Sequence, residues 1–142
     1  MRKKRKRKVF EKVTWGHSGA LKFTILVAKT QQKTPHYRVH QPETFLVLIE
    51  GEMDKSTIPA LREGIAPLFQ KNDAMQLIVD LSKVSHVDSA GIATLIDWFH
   101  ESKRENMRFT LAGPSLEVLT LLELDHLRGV FEVVPPLQWV IV

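Results

Sequence analysis

His86, Asp88 and Ser89 lie within four positions of one another and include the three side-chain types of a nucleophilic triad. A triad is assembled in space, with a base oriented by a third group and donors placed for an oxyanion. Adjacency along the chain supplies neither, so no catalytic residue is assigned. The run Val87-Asp88-Ser89-Ala90-Gly91 has a simpler reading as the opening of a helix. Asp88 and Ser89 can satisfy free N–H groups of a first turn, with Ser89 as the cap. The helix end favours negative charge. A phosphate on Ser89 is tolerated there and changes the surface by about −2 charges. Gly91 permits close backbone approach. Glu52 and Asp54 add an acidic rim. Trp98 lies six positions after Ile92, off the stripe of Ile92, Leu95 and Phe99. It reads as an exposed aromatic anchor for a partner, on an outer face shared with Thr94 and Asp97.

Other chemistry is poorly supported. Neither a dinucleotide fingerprint nor a phosphate-binding P-loop occurs. The G-H-S-G run at residues 16–19 is one residue short of a hydrolase nucleophile elbow. None of the six histidines forms a metal spacing, and His36 and His40 are four apart in a segment that reads as extended. No metal and no cofactor is expected. With no cysteine there is no disulfide framework and no thiolate ligand, which suits a reducing compartment.

The elements that must carry the candidate residues are legible from period. Residues 45–49 are a continuous apolar run of strand length. Ser56 or Thr57 caps a following helix that tolerates Pro59 in its first turn, and Ile58, Leu61, Ile65 and Leu68 form its stripe. Residues 77–81 read as a strand or a short buried helix, since period alone does not separate them. A second helix opens at the Asp88–Ser89 step. Residues 108–112 form a strand, Ser115 caps a helix carrying Leu116, Leu119 and Leu122, and residues 130–134 are a last strand. The order β-α-β-α-β-α-β implies an α/β fold: a mixed, mostly parallel sheet with crossover helices. In such sheets sites gather at the carboxyl ends of the strands.

Charge divides the 142 residues. Residues 1–34 hold eleven Lys/Arg and one acidic residue, net +10, whereas residues 35–142 are net −6. Residues 1–34 therefore read as a basic, partly disordered arm and 35–142 as the domain. Residues 2–8 are seven consecutive cations, a run that is solvated and suited to weak contact with an anionic membrane surface. Nucleic acid is disfavoured because no aromatic interleaves that run. Residues 23–27 read as a strand within the arm, too short to span a bilayer.

Three blocks, in this order, resemble a STAS domain, the module of anti-sigma-factor antagonists and of some transporter subunits. They are Gly51-Glu52-Met53-Asp54 after an apolar strand; residues 77–82 leading to Asp88-Ser89-Ala90-Gly91-Ile92; and Leu111-Ala112-Gly113-Pro114-Ser115 before a Leu-rich helix. The resemblance covers residues 37–134 and implies a non-enzymatic, cytoplasmic regulator that binds a protein partner through Asp88, Ser89, Ala90, Gly91, Thr94, Trp98, Glu52 and Asp54. In the antagonists a kinase-type anti-sigma factor phosphorylates a loop hydroxyl, usually the second. The matching position here is Ala90, which leaves Ser89 as the phosphorylation candidate. D-S-A-G followed by an Ala- and Leu-rich helix is also similar to MlaB-like STAS subunits of phospholipid-transport ABC complexes. Those dock on the ATPase, at the inner face of the membrane.

Overall fold

The computed structural model describes residues 9–28, 43–70, 74–124, 129–136 and 140–141. In chain order these form β1 (Val9–Ser18), β2 (Leu21–Ala28), β3 (Glu43–Met53), α1 (Ile58–Ile65), a 3₁₀ turn (Ala66–Gln70) and β4 (Ala74–Val87). Then follow α2 (Ser89–Arg104), β5 (Arg108–Ala112), α3 (Leu116–Leu124), β6 (Glu132–Val134) and β7 (Val140–Ile141). All strands share one sheet in the order β6-β5-β4-β3-β2-β1-β7. Pairing is parallel from β3 through β6 and between β1 and β7, and antiparallel at β1–β2 and β2–β3. This is the mixed, mostly parallel α/β sheet expected from the alternating pattern.

The connectivity places the helices. From β3 to β6 the chain moves stepwise in one direction across the sheet, and crossovers between parallel strands are right-handed. α1, α2 and α3 must then fall on the same face. The core confirms it: Phe45, Val47 and Ile49 of β3, Leu77 and Val79 of β4, and Phe109 and Leu111 of β5 share one cluster with Leu61, Leu95 and Leu122 of the helices. The alternate residues Leu26, Leu46, Ile78 and Ala112 form a second, smaller cluster on the opposite face. Strands buried on both faces read as continuous apolar runs rather than as alternation, which is how β3 and β4 stand in the sequence.

Local chemistry sets the helix ends. α1 stops at Ile65 instead of running through Leu68, because Pro67 has no N–H for the ladder and its ring crowds the preceding turn. α2 ends where Asn106 adopts a left-handed conformation (φ 55°). There the Met107 N–H donates to Ser102 O at 2.7 Å and the Asn106 N–H to Lys103 O at 3.2 Å, the double bond pattern that satisfies terminal carbonyls. In α3, Ser115 accepts from the Val118 N–H at 3.3 Å, as its capping position predicts. Leu116, expected on the buried stripe, is 80% exposed, and Val118 and Leu122 carry the packing. The last strand is shorter than 130–134, with a turn at its start.

The separation at residues 34/35 does not coincide with the edge of the sheet. β2 pairs with β3 over its whole length, from Leu21↔Gly51 to Ala28↔Thr44. Leu21, Phe23, Ile25 and Val27 enter the main core. The cations of this hairpin, Lys12 and Lys22, are exposed, while the residues alternating with Lys22 on β2 are buried or half-buried. The seven-cation run lies outside the described residues. Gly51 makes the junction: with φ +111° it brings β3 so near the hairpin turn that a Cβ would lie 1.8 Å from Ala20 O.

Candidate functional site

The candidate residues collect at the carboxyl ends of β3 and β4, where the β3–α1 turn meets the start of α2. The turn is built on Asp54. Its Oδ1 accepts from the Ser56 N–H (2.8 Å), the Ser56 hydroxyl and the Thr57 N–H (3.1 Å). Thr57, the cap residue of α1, makes no side-chain bond into that helix. Its hydroxyl instead donates to Glu52 O (2.8 Å) and accepts from the Asp54 N–H (3.0 Å). The Ser56 hydroxyl and N–H, then the Thr57 N–H and the charge of His86, hold the Asp54 carboxyl below the usual range. Asp54 thus serves first as the frame of the turn.

Asp88, not Ser89, caps α2. Its backbone is extended (φ −97°, ψ −173°), and Oδ1 accepts from the Gly91 N–H at 3.0 Å. Its other oxygen accepts from the Lys55 N–H at 3.1 Å, thirty-three positions away in sequence. The Asp88 N–H donates to Met53 O at 3.1 Å. One carboxylate therefore ties the β3–α1 turn to the helix start. Gly91 makes the junction fit: a Cβ there would lie 2.7 Å from both Met53 O and Val87 Cγ1. Close backbone approach at Gly91 is what its residue type anticipates.

Ser89 is then the first helical residue, exposed beside the cap, and Ala90 is half-buried against the core. Among the described residues no hydrogen bond engages the Ser89 hydroxyl. Glu52, near the end of β3, is exposed, and Asp54, in the turn that follows, is half-buried. The site thus unites Glu52, Asp54, Asp88, Ser89, Ala90 and Gly91. It does not present Thr94 and Trp98. Thr94 is fully buried, its hydroxyl donating to Ala90 O at 2.8 Å, and Trp98 is 4% exposed. The stripe of α2 is wider than Ile92, Leu95 and Phe99 suggest, since Gly91, Thr94, Trp98 and Ser102 are buried too. Trp98 stands three positions after Leu95 and four after Thr94, which places it on the packed side. Of that supposed outer face only Asp97 is exposed, and it pairs with Arg62 of α1 at 2.8 Å.

Sequence reasoning missed two contributors. Lys55 acts through its backbone N–H, which no residue type reveals. Glu117 of α3 approaches His86, Nδ1 to Oε1 at 3.4 Å, a surface contact across two elements. His86 faces this glutamate and not Ser89, and both Asp88 oxygens already accept from N–H donors, so the triad types are not wired as a triad. Among the described residues no cluster of His, Asp and Glu could hold a metal ion, and no helix is long and apolar enough to cross a membrane.

Comparison with known proteins agrees with this architecture. The family profile of the STAS domain matches residues 37–138. The chain is 26% identical over 87 residues to the anti-sigma-B factor antagonist of Listeria monocytogenes, covering 61% of this chain and 75% of that one. In fold it is similar to the anti-sigma factor antagonist SpoIIAA in its unphosphorylated form, with TM-score 0.58 and 19% identity over 67% of this chain and 81% of that one. It is also similar to an anti-sigma factor antagonist from Mycobacterium paratuberculosis, with TM-score 0.61 and 23% identity over 81% and 87% of the two chains. The STAS profile spans more than two thirds of the sequence, and the chain belongs to the STAS domain family.

Proposed function

We propose that this protein is a non-enzymatic regulator of the anti-sigma-factor antagonist type. It binds a protein partner through the β3–α1 turn and the start of α2, and phosphorylation of Ser89 switches that binding. The carrying observation is the exposed Ser89 hydroxyl at the first residue of α2, beside a cap whose carboxylate already holds the adjoining turn. A kinase-type anti-sigma factor would transfer the γ-phosphoryl group of ATP to Ser89 Oγ. The P–O bond to ADP breaks, the new bond forms at Oγ, and the hydroxyl proton leaves to a base on the kinase. The names of the curated relatives support this class of partner. The soluble, cytoplasmic setting of such regulators is part of the same proposal.

The test pairs the protein with its cognate kinase and ATP. Intact mass spectrometry should show one added phosphate, absent in Ser89→Ala, and Ser89→Asp should weaken partner binding. An active kinase that leaves Ser89 unmodified, together with unchanged binding of Ser89→Asp, would sink the proposal. Ala90 favours one other reading, an MlaB-like accessory subunit of a phospholipid-transport ABC complex, because only one hydroxyl remains in the loop. Copurification with an ABC ATPase and permease, without a kinase partner, would establish that reading instead.

A further inference from the structure

The β1–β2 hairpin has a face that the partner site does not use. In an antiparallel pair, directly opposed residues project to the same side. Trp15 is opposed to Thr24 and His17 to Lys22. These alternate along β2 with Phe23 and Ile25, which pack toward the helices, so Trp15, His17, Lys22 and Thr24 lie on the opposite face. Lys12 joins them, opposed to Leu26 before the irregularity between Lys12 and Thr14.

Trp15 is 61% exposed. Its indole stacks on the His17 ring (centroids 6.1 Å apart, planes inclined 22°), and Lys12 Nζ stands 5.6 Å from its centroid. An indole held between a cation and an imidazole is preorganised, with much of its apolar surface in water. Lys12 and Lys22 are exposed beside it. In sequence, the seven cations of residues 2–8 lead directly into β1. On the next strand, Glu50 opposite Lys22 ends the positive patch.

We propose that this face of the β1–β2 hairpin, with Trp15 flanked by Lys12, His17 and Lys22, docks on an anionic lipid surface. Charge complementarity specifies the sign of the partner. An exposed indole among cations suits a surface, because an indole lodges at the headgroup boundary while clustered Lys and Arg gain from anionic lipid. A single-stranded nucleic acid would call for successive aromatics along a track, and among the described side chains of this face Trp15 is the one indole. The docking is independent of the partner site, so its failure leaves the Ser89 switch untouched.

The test is cosedimentation of the full chain with vesicles of phosphatidylcholine, with and without about one third phosphatidylglycerol. The protein should partition onto the anionic vesicles alone, with a blue shift in emission that Trp15→Phe reduces, and salt should release it. Trp15→Ala should weaken the partition at least about tenfold. Lys12→Gln and Lys22→Gln should each weaken it by about fivefold. Since these side chains are exposed, matching thermal melts would confirm that the variants fold. Equal binding to neutral vesicles overturns the proposal. So does unchanged partition of the Trp15 and Lys variants, including the case where only deletion of residues 2–8 abolishes binding. Trp15-dependent binding to single-stranded polyuridine in the absence of any vesicle binding overturns it too, and assigns the face to nucleic acid.

Discussion

Replacing Gly64 with alanine tests whether the N-terminal hairpin is part of the domain, because two effects of opposite sign compete. Gly64 lies in α1, where alanine is favoured over glycine by about 1 kcal/mol in a helix interior, and by less near the end of so short a helix. A Cβ at Gly64 would stand 2.3 Å from Phe23 Cζ and 2.6 Å from Cε2. Carbon pairs are most favourable at about 3.5–4.0 Å, so the ring must retreat by more than about 1 Å. It has little room, since Phe23 is 7% exposed and a Cβ at Gly16 of β1 would meet the same Cζ at 2.5 Å. Overpacking of this kind costs about 1–3 kcal/mol, which outweighs the propensity gain. Gly64→Ala should therefore destabilise by about 1–2 kcal/mol, lowering Tm by about 3–4 °C per kcal/mol at this chain length. In a Phe23→Leu background, which removes Cζ, the same substitution should become neutral or stabilising, and urea melts of the four-member cycle would measure the coupling. A rise in Tm for Gly64→Ala alone, with no coupling to Phe23, would refute the packing of β2 on α1.

Asp88→Ala should remove both the cap of α2 and the tie to Lys55, costing about 1.5–3 kcal/mol by the usual worth of a cap and a hydrogen bond. Asp88→Asn, which keeps an acceptor for the Gly91 N–H, should lose about half as much. Amide exchange at Lys55 should accelerate in both, and an unchanged rate would dismiss the tie. The second test concerns pH. The hydrogen bonds and charge of Arg108 hold Glu132 below its ordinary value of 4.5. Because the folded-state value is depressed, the pair's contribution is complete above about pH 4.5 and disappears as pH falls through the lower folded value. Both side chains are over a third exposed, so the effect is small. Glu132→Gln should flatten the acid limb of the stability profile, and an unaltered limb would remove the pair from the account.

The parallel part of the sheet was legible because each of its strands contains a short apolar run, although β3 and β4 extend well beyond theirs, and each helix carries its own period. β1 was not, because its residues, including Lys12, Thr14, Trp15 and His17, have no apolar run. Its pairing is supplied by β2, a tertiary fact that propensity does not encode. Charge divides the chain by its cations, whereas the sheet pairing of β2 follows from its buried side chains, Leu21, Phe23, Ile25 and Val27. At the site, Asp88 and Gly91 were legible because capping and close approach depend on residue type. Trp98 was misjudged by counting from Ile92 alone: three positions after Leu95 is the shorter route around the helix, and it leads to the packed side. The Lys55 contact was invisible for another reason, since a backbone donor carries no side-chain signature.

The wiring of Asp88 also bears on how a switch at Ser89 would act. Both carboxylate oxygens accept from backbone N–H groups, Gly91 on one side and Lys55 on the other, so Asp88 serves as cap and tie, and under the proposed switch the base for the Ser89 proton belongs to the kinase. Asp88, Asp54 and the exposed Glu52 already make this rim acidic. A phosphate on Ser89 would gain from the helix N-terminus but would add about −2 charges beside those carboxylates. Salt at physiological strength screens exposed charges beyond about 8 Å. The modification would therefore act on partner groups in contact with the first turn of α2, and only weakly on the rest of the interface. Under this reading Ser89→Asp, with a single charge on a shorter reach, should weaken binding less than the phosphate does. High salt should restore the Asp variant more fully, because part of the phosphate's effect is bulk and salt does not screen bulk.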